Sequence, residues 1–240
     1  MTILFDGATT QRIDFGDVAG GYAHKLFLVW MNRSDSNRGG LFFKGNNPYT
    51  QGWASSFENS GGIKLFFSNK FSTTQGLWRG GTNFSSGLYQ IAIDYDWALT
   101  TNDPRMWVNG AAETITELST PVGTNQEGSG NSFSIGDDFT VDANYAINGS
   151  IISMNILDVG ALNNTQIDKL VSNAYESRLY FPKGAPRVFG GNLHAPAGTI
   201  KDGDTMAAGN TVRDIVSGAS GVPAGSPVFK NNTVLSLGGE

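Results

Sequence analysis

Four oxygen-bearing side chains lie close together between residues 94 and 103. Asp94 and Asp96 are two residues apart in "IAIDYDWALTTND", so on a strand both carboxylates share one face. Asn102 and Asp103 follow beyond a short loop. Oxygen ligands of this kind suit Ca²⁺, which makes the stretch a candidate metal site. The alternative is that both carboxylates lie on the solvated face of an amphipathic strand.

A second acidic cluster occurs in "GDDFTVDAN" and supplies Asp137, Asp138, Asp142 and Asn144. These oxygens could also hold Ca²⁺, which is the one cofactor that the sequence suggests. The alternative is a turn in which the Asp and Asn side chains cap their own backbone. The chain has no Cys, which excludes disulfides and thiolate metal sites.

Aromatic side chains with polar neighbours form a candidate ligand site. Trp53 and Trp78 lie in the Gly-rich phrases "NNPYTQGWA" and "TTQGLWRGG", beside Tyr49 and Arg79. A flat indole offers an apolar face to a sugar ring, while Asn and Arg supply hydrogen bonds. We therefore predict a glycan-binding surface here. The alternative is that both indoles plug the ends of the fold.

Most of the chain before residue 158 predicts short strands joined by Gly, Asn and Ser turns. The phrase "KLFLVWMN", residues 25–32, is apolar on both faces, which predicts a central strand covered on both sides. "GLYQIAIDYDW" alternates, so Asp94 and Asp96 should face away from Ile91 and Ile93. Asn109-Gly110 predicts a two-residue hairpin turn. The pattern indicates an all-β antiparallel sandwich.

One segment predicts a helix. Its apolar residues recur with helical spacing at Ile167, Leu170, Val171, Ala174 and Tyr175. Asn163 and Gln166 have the spacing of an N-cap and its return partner. A helix this short is not stable alone in water, so its stripe must pack on a β-layer. We expect it to close an open edge or end of the sandwich.

The character of the chain changes after Pro182. Residues 1–182 predict the sandwich domain, and residues 183–240 predict a Gly- and Pro-rich C-terminal arm with short strands. The arm either packs back on the sandwich or reaches a neighbouring subunit. In the second case we expect the contact to be made by the apolar residues Val188, Phe189, Val228 and Phe229.

Composition restricts the partners and the location. Charged residues make up 15% of the 240 residues, against roughly 25% in an ordinary soluble domain. The net charge of -5 offers no basic surface for nucleic acid. No run reaches the roughly 18 apolar residues that span a bilayer, and the N-terminus lacks a signal-peptide pattern. An exterior style of composition without a secretion signal predicts a phage particle: synthesis in the host cytoplasm and a place on the virion surface.

Three phrases resemble the concanavalin A-like jelly roll of the laminin G-like type: "LFDGATTQRIDFGD", "GLYQIAIDYDW…RMWVNG" and "INGSIISMNILDVGALNNTQIDKLV". The resemblance covers about residues 1–180, and "RDIVSGASGVPAGSPVF" is similar to a segment that accompanies such domains in phage structural proteins. It implies a sandwich that binds carbohydrates or proteins, with calcium at rim loops in some members. In phages such domains occur on capsids, tails and fibres. The run from Asp94 to Asp103 also resembles the metal loop of legume lectins, without its Glu and its His.

Glucanases of this fold share a Glu-x-Asp-x-x-Glu strand, and no glutamate of this chain has that spacing. His24 and His194 are far apart in the sequence and match no catalytic motif. We therefore predict a non-enzymatic phage virion structural or decoration protein with a glycan-binding surface. Its expected partners are other virion proteins, further copies of itself in a homo-oligomer, and cell-surface glycans. The alternatives are a free carbohydrate-binding lectin module and, third, a glycan-degrading enzyme.

Overall fold

Two antiparallel sheets face each other in the computed structural model of the chain, which describes residues 2–6, 11–18, 20–46, 50–136, 147–177, 187–192, 212–213, 220–224 and 228–230. The first sheet has the strand order β10-β9-β8-β3-β13-β1-β17, with β14 also beside β13. Its strands are β1 (Thr2–Asp6), β3 (His24–Arg33), β8 (Gly87–Asp96), β9 (Arg105–Val108), β10 (Ala111–Ala112), β13 (Asn148–Asp158), β14 (Arg187–Asn192) and β17 (Val228–Lys230).

The second sheet has the order β11-β7-β6-β5-β4-β12-β2-β16-β15. Its strands are β2 (Arg12–Asp14), β4 (Gly39–Gly45), β5 (Gly52–Asn59), β6 (Ile63–Asn69), β7 (Gly76–Gly80), β11 (Ile115–Ser119), β12 (Phe133–Ile135), β15 (Val212–Arg213) and β16 (Ser220–Ala224). All the described strand pairs are antiparallel, as the sequence predicted. None of the described helices is long and apolar enough to cross a membrane.

Apolar side chains from both sheets fill one interior. The first sheet contributes alternate residues of its central strands, and the second sheet contributes large aromatic side chains. Phe27 of β3 lies at the centre, where its ring centroid is 4.8 Å from those of both Phe42 and Trp53. This interior also contains Val29, Met31, Phe57, Leu65, Phe67, Trp78, Ile91, Ile93, Tyr95, Phe133 and Ile156.

Strand β3 is buried on both of its faces, which confirms the prediction for residues 25–32. Phe27 and Val29 face the interior, whereas Leu26 and Leu28 belong to a second apolar cluster on the outer face of the first sheet. Trp30 lies on this outer face as well, and its ring stacks on Tyr175 at 6.0 Å between centroids. The first sheet is therefore covered on both sides.

The cover on the outer face is helix α1 (Asn164–Glu176). Its buried stripe of Ile167, Leu170, Val171 and Ala174 packs on side chains of β3, β8, β9 and β13. Asn163 and Gln166 form the predicted capping box, with hydrogen bonds of 3.0 and 2.9 Å. The predicted docking on a β-layer is confirmed. The expectation of an edge or end is wrong, because the helix lies across the face of the central strands.

Two local predictions about the remaining chain can be compared with the structure. Asn109 and Gly110 both have positive φ, 52° and 75°, as the predicted hairpin between β9 and β10 requires. The described strands of the C-terminal arm pair with the sandwich of their own chain, since β14 lies beside β13, β17 beside β1 and β16 beside β2. Val188 and Phe189 belong to β14, and Val228 and Phe229 to β17. A contact of these four side chains with another subunit stays a prediction.

Replacing Ile167 by Ala tests the helix packing. Ile167 is fully buried against the first sheet, so we expect the free energy of unfolding to fall by about 2–5 kcal/mol. The matched control is Asn173→Ala on the exposed side of the same helix, which should change it by less than about 0.5 kcal/mol. Urea unfolding followed by tryptophan fluorescence measures both. Equal effects of the two substitutions would show that the helix does not hold this face.

Candidate functional site

Both predicted sugar-stacking tryptophans are core residues. Trp53 and Trp78 are 0% exposed, so no ligand can reach their rings. Trp53 packs 5.5 Å from the ring of Phe133, and the Trp78 indole N–H donates to Asp103 Oδ1 at 2.7 Å. The prediction of a sugar site on these two indoles is therefore wrong. Both are packed residues, as the alternative expected, but Trp53 lies beside Phe27 at the centre of the interior rather than at an end of the fold. Tyr49 lies outside the described residues.

The glycines beside these tryptophans explain the error. The sequence phrases around them look like loops, but Gly52 and Gly76 are the first residues of strands β5 and β7. A Cβ at Gly76 would overlap the Trp78 ring, and one at Gly52 would overlap the Lys44 carbonyl. Gly76 is thus needed for close packing, whereas Gly52 is needed both for close packing and for its positive φ of 95°.

The four oxygen-bearing side chains between residues 94 and 103 do not converge on one point. Asp96 Oδ1 accepts from the Ala98 N–H at 2.9 Å, and Asn102 Nδ2 donates to the Asp96 carbonyl at 2.8 Å. Asp103 accepts from Trp78. Among the described residues no group of three His, Asp or Glu side chains could hold a metal ion, so the calcium prediction here is wrong.

Asp94 is the most enclosed of these carboxylates, at 4% exposure. Its Oδ2 accepts from Arg105 Nε at 3.0 Å and Nη2 at 2.7 Å, and its Oδ1 is 2.8 Å from His24 Nε2. The alternative of a solvated face is thus also wrong for Asp94.

The other acidic cluster, Asp137, Asp138, Asp142 and Asn144, lies outside the described residues, and its calcium site stays a prediction.

Arg105 connects Asp94 to the helix. Its Nη1 donates to Asp168 Oδ1 at 3.0 Å and to the Asn164 carbonyl at 3.4 Å, both in the first turns of α1. The Asp94 carboxylate is balanced by this guanidinium and by His24, whose pKa is raised mainly by the hydrogen bond to Asp94, against the opposing effect of burial. This charged cluster anchors the helix on the sheet. These contacts use both oxygens of Asp94 and all three nitrogens of the Arg105 guanidinium, which indicates a structural role for the two residues.

Two fully buried lysines anchor loops at one end of the sandwich. Lys25 Nζ lies 3.0 Å from Glu127 Oε1 and 3.7 Å from the centroid of the Trp97 ring. Burial lowers the pKa of Lys25 to about 8, although Glu127 opposes the shift. Lys44 Nζ lies 2.6 Å from Asp17 Oδ1, and this hydrogen bond lowers the pKa of Asp17. Both ammonium groups hold loops in place, and neither role was predicted from the sequence.

The accessible surface with binding chemistry is the outer face of the second sheet. Along β5, β6 and β7 every second side chain enters the interior, so the alternate ones face outward. We call these eight outward, partly exposed residues the open face: Ala54, Ser56, Glu58, Lys64, Phe66, Ser68, Leu77 and Arg79. The face ends at β4, where the outward Phe43 is only 3% exposed.

Phe66 and Arg79 lie at the centre of the open face. Phe66 is directly opposite Ser56 on β5 and Arg79 on β7, so the three side chains form one row across the strands. Phe66 has no aromatic ring against it within the described residues, unlike the core phenylalanines. Arg79 was part of the predicted site. Phe66 was missed, although the alternation of "IKLFFSN" requires one of its two phenylalanines to face outward.

The open face has few groups for catalysis. Glycoside hydrolysis ordinarily needs two carboxyl groups on either side of the scissile bond. Glu58 is the one carboxylate among the eight residues of the open face. It already lies 3.5 Å from Arg38 Nη1 and 3.2 Å from the Ser56 hydroxyl. The arrangement is suited to binding: an aromatic ring, hydroxyls and cationic groups on a flat sheet.

Comparison with known proteins supports the fold. No protein-family model and no curated protein sequence matches the chain. A heptameric SAP-like pentraxin from Limulus polyphemus is similar in structure, with 14% identity and a TM-score of 0.55 over 72% of this chain and 81% of its own. A putative carbohydrate binding protein from Bacteroides ovatus has 13% identity and a TM-score of 0.57 over 96% of this chain and 61% of its own.

A third similar structure is the NanB sialidase from Streptococcus pneumoniae, with 11% identity and a TM-score of 0.50 over 85% of this chain and 30% of its own. At such low identity these similarities show the fold alone. The chain is an all-β jelly-roll sandwich. More particularly, its fold is concanavalin A-like, as the resemblance predicted.

The ion pair of His24 with Asp94 predicts a dependence of stability on pH. The folded protein holds the His24 proton more tightly than the unfolded chain, whose histidine has a pKa near 6.5. The stabilisation is thus complete below pH about 6.5 and is lost as the pH rises through the raised pKa. We expect the free energy of unfolding to decrease across this window, and His24→Gln to remove this decrease. Urea unfolding at several pH values measures it.

An NMR titration of the His24 ring supplies the second readout for the same pair. We expect its midpoint above 6.5 in the folded protein. His194→Gln is the control, because it removes the other histidine of the chain. A midpoint at or below 6.5, or an unchanged pH slope in His24→Gln, would contradict the assignment.

Proposed function

We propose that this chain is a non-enzymatic carbohydrate-binding sandwich and that its ligand lies across the open face. The observation that supports the proposal is the central row of Ser56, Phe66 and Arg79. It places a partly exposed aromatic ring between a hydroxyl and a guanidinium. Sugar rings are bound by this combination, because their apolar C–H faces stack on aromatic rings and their hydroxyls take part in hydrogen bonds.

The shape of the surface favours an extended ligand. The open face spans three neighbouring strands, about 4.8 Å apart, and its outward residues are polar or small around Phe66 and Leu77. A sheet surface of this width can contact two or more sugar rings in succession, rather than enclose a single small molecule. One of the similar folds belongs to a putative carbohydrate binding protein, which supports the same ligand class.

The proposal of a role without catalysis depends on Glu58. On the open face this carboxylate has Arg38 and Ser56 as partners, and no second carboxylate of the open face stands opposite it. Acid–base hydrolysis of a glycosidic bond would need that second group. Binding without turnover agrees better with these residues than the alternative of a glycan-degrading enzyme.

Phe66→Ala tests the carbohydrate site. We expect a glycan array to give binding for the native chain and a loss of at least about tenfold in affinity for Phe66→Ala, because the stacking surface is removed. Tyr22→Ala is the matched control, since Tyr22 is an aromatic residue that is 41% exposed in a loop outside the open face. Both variants should have the same melting temperature as the native chain.

An array without any bound glycan would overturn the proposed function. Equal losses in Phe66→Ala and Tyr22→Ala would instead place the binding surface elsewhere.

A second proposal concerns where the sandwich works. We propose that it is a structural or decoration component of a phage particle, synthesised in the host cytoplasm and displayed on the virion surface with other virion proteins. The support is the low charged fraction of 15% and the resemblance of "RDIVSGASGVPAGSPVF" to segments of phage structural proteins. Such a component is expected to assemble with copies of itself.

Sedimentation equilibrium of the full chain tests self-assembly. We expect a mass of two or more chains, each of 25.6 kDa, that persists at micromolar concentration. The experiment uses the complete chain, because β14, β16 and β17 of the arm pair with strands of both sheets. A mass of one chain at every concentration would contradict the homo-oligomer and leave the carbohydrate proposal standing.

A further inference from the structure

The charge of the open face differs from that of the whole chain. The chain has a net charge of -5, yet two of the eight open-face residues, Lys64 and Arg79, are cationic. The one carboxylate of the face, Glu58, lies 3.5 Å from Arg38 Nη1, which offsets its charge. Within these eight residues cationic groups therefore outnumber carboxylates by two to one, which favours an anion on the open face.

Of the two cations of the open face, Arg79 is the one whose guanidinium is held in place and has N–H groups for a ligand. Its Nη1 donates to the Ser60 hydroxyl at 2.7 Å, which fixes the position of the guanidinium. Its Nε and Nη2 have no partner among the described residues. These two N–H groups form one edge of the planar guanidinium, and that edge matches the two oxygens of a carboxylate.

The same protein shows what this edge of an arginine binds. Nε and Nη2 of Arg105 both donate to Oδ2 of the Asp94 carboxylate, at 3.0 and 2.7 Å. Arg105 has its carboxylate within the chain, whereas no described carboxylate pairs with the corresponding edge of Arg79. Within the described part of the chain this edge of Arg79 is therefore available to a ligand.

The neighbouring ring sets where that partner must lie. Phe66 is directly opposite Arg79 on the adjacent strand, and such pairs have Cβ atoms about 5 Å apart. A sugar ring stacked on Phe66 would therefore hold a carboxylate substituent within reach of Arg79. Lys64 Nζ donates to the Gly81 carbonyl at the same surface and adds a second positive charge.

We propose that the open face selects glycans that carry a carboxylate, and that Arg79 is the residue that determines this specificity. The inference rests on the proposed function, since it names the class of sugar that would bind at the same face. The carboxylate could belong to a uronic acid or to a sialic acid, whose shared chemistry is a planar anion attached to a sugar ring.

Paired ligands that differ only in charge test the inference by calorimetry. The first pair is oligogalacturonate and its fully methyl-esterified form, and the second is sialyllactose and its methyl ester. We expect the acidic member of at least one pair to bind about tenfold more tightly or better, and this preference to weaken as NaCl is raised. The pair that shows the preference identifies the source of the carboxylate.

Arg79→Gln assigns the preference to a residue. We expect it to remove the difference in affinity between the acidic and neutral members of the pair. Lys169→Gln is the matched control, because it removes one positive charge from the exposed side of α1, which packs on the other sheet. It should leave the preference unchanged.

The outcomes separate the two proposals. Equal binding of acidic and neutral sugars, with a loss in Phe66→Ala, would overturn the carboxylate inference and keep the carbohydrate site. A preference that persists in Arg79→Gln, or that Lys169→Gln removes equally, would overturn the role of Arg79. Absence of binding to these ligands and to every glycan of the array would overturn both proposals.

Discussion

Burial of the first sheet on both faces is the constraint on which the rest of the structure depends. Strand β3 alternates between residues that face the second sheet, such as Phe27, and residues that face away from it, such as Leu26 and Leu28. Leaving the outward residues in water would forfeit roughly 1.5–3 kcal/mol for each large apolar side chain. Helix α1 removes this exposure. The outer face of the first sheet is thus covered by the helix. The sheet face that remains accessible to a ligand is that of β5, β6 and β7.

The same commitment explains the charged residues near the helix. Placing α1 over the first sheet encloses Asp94, and a buried carboxylate is strongly unfavourable unless it is paired and hydrogen-bonded. Arg105 and His24 provide that pairing, and Arg105 extends it to Asp168 on the helix. Asp94, one of two aspartates in the spacing of a metal or catalytic pair, is consequently a structural residue. Its role follows from the helix that covers it, and the spacing of the two aspartates in the sequence does not show this.

The features that sequence predicted well are those decided by neighbouring residues. The Asn109-Gly110 turn and the Asn163 capping box depend on a few adjacent side chains, and both are present. The positions of Trp53 and Trp78 depend instead on packing between distant strands, where glycines allow close approach. The row of Phe66 and Arg79 requires the register between β6 and β7. The residue pattern of one strand does not determine its register with the next strand. The pairing of Phe66 with Arg79 therefore could not be predicted from the sequence.

A comparison of the two faces of β6 shows why the open face is a functional candidate. Leu65 and Phe67 point inward and are almost completely buried, so the core determines their identity. Phe66 between them faces outward and stacks on no described ring, and the guanidinium edge of the opposite Arg79 is unpaired within the described residues. Both side chains are partly exposed, so they contribute less to folding than the buried Leu65 and Phe67. The Phe66 ring and the Arg79 guanidinium lie side by side on a face whose other residues are mostly small or polar. This arrangement is therefore better explained by ligand binding than by folding.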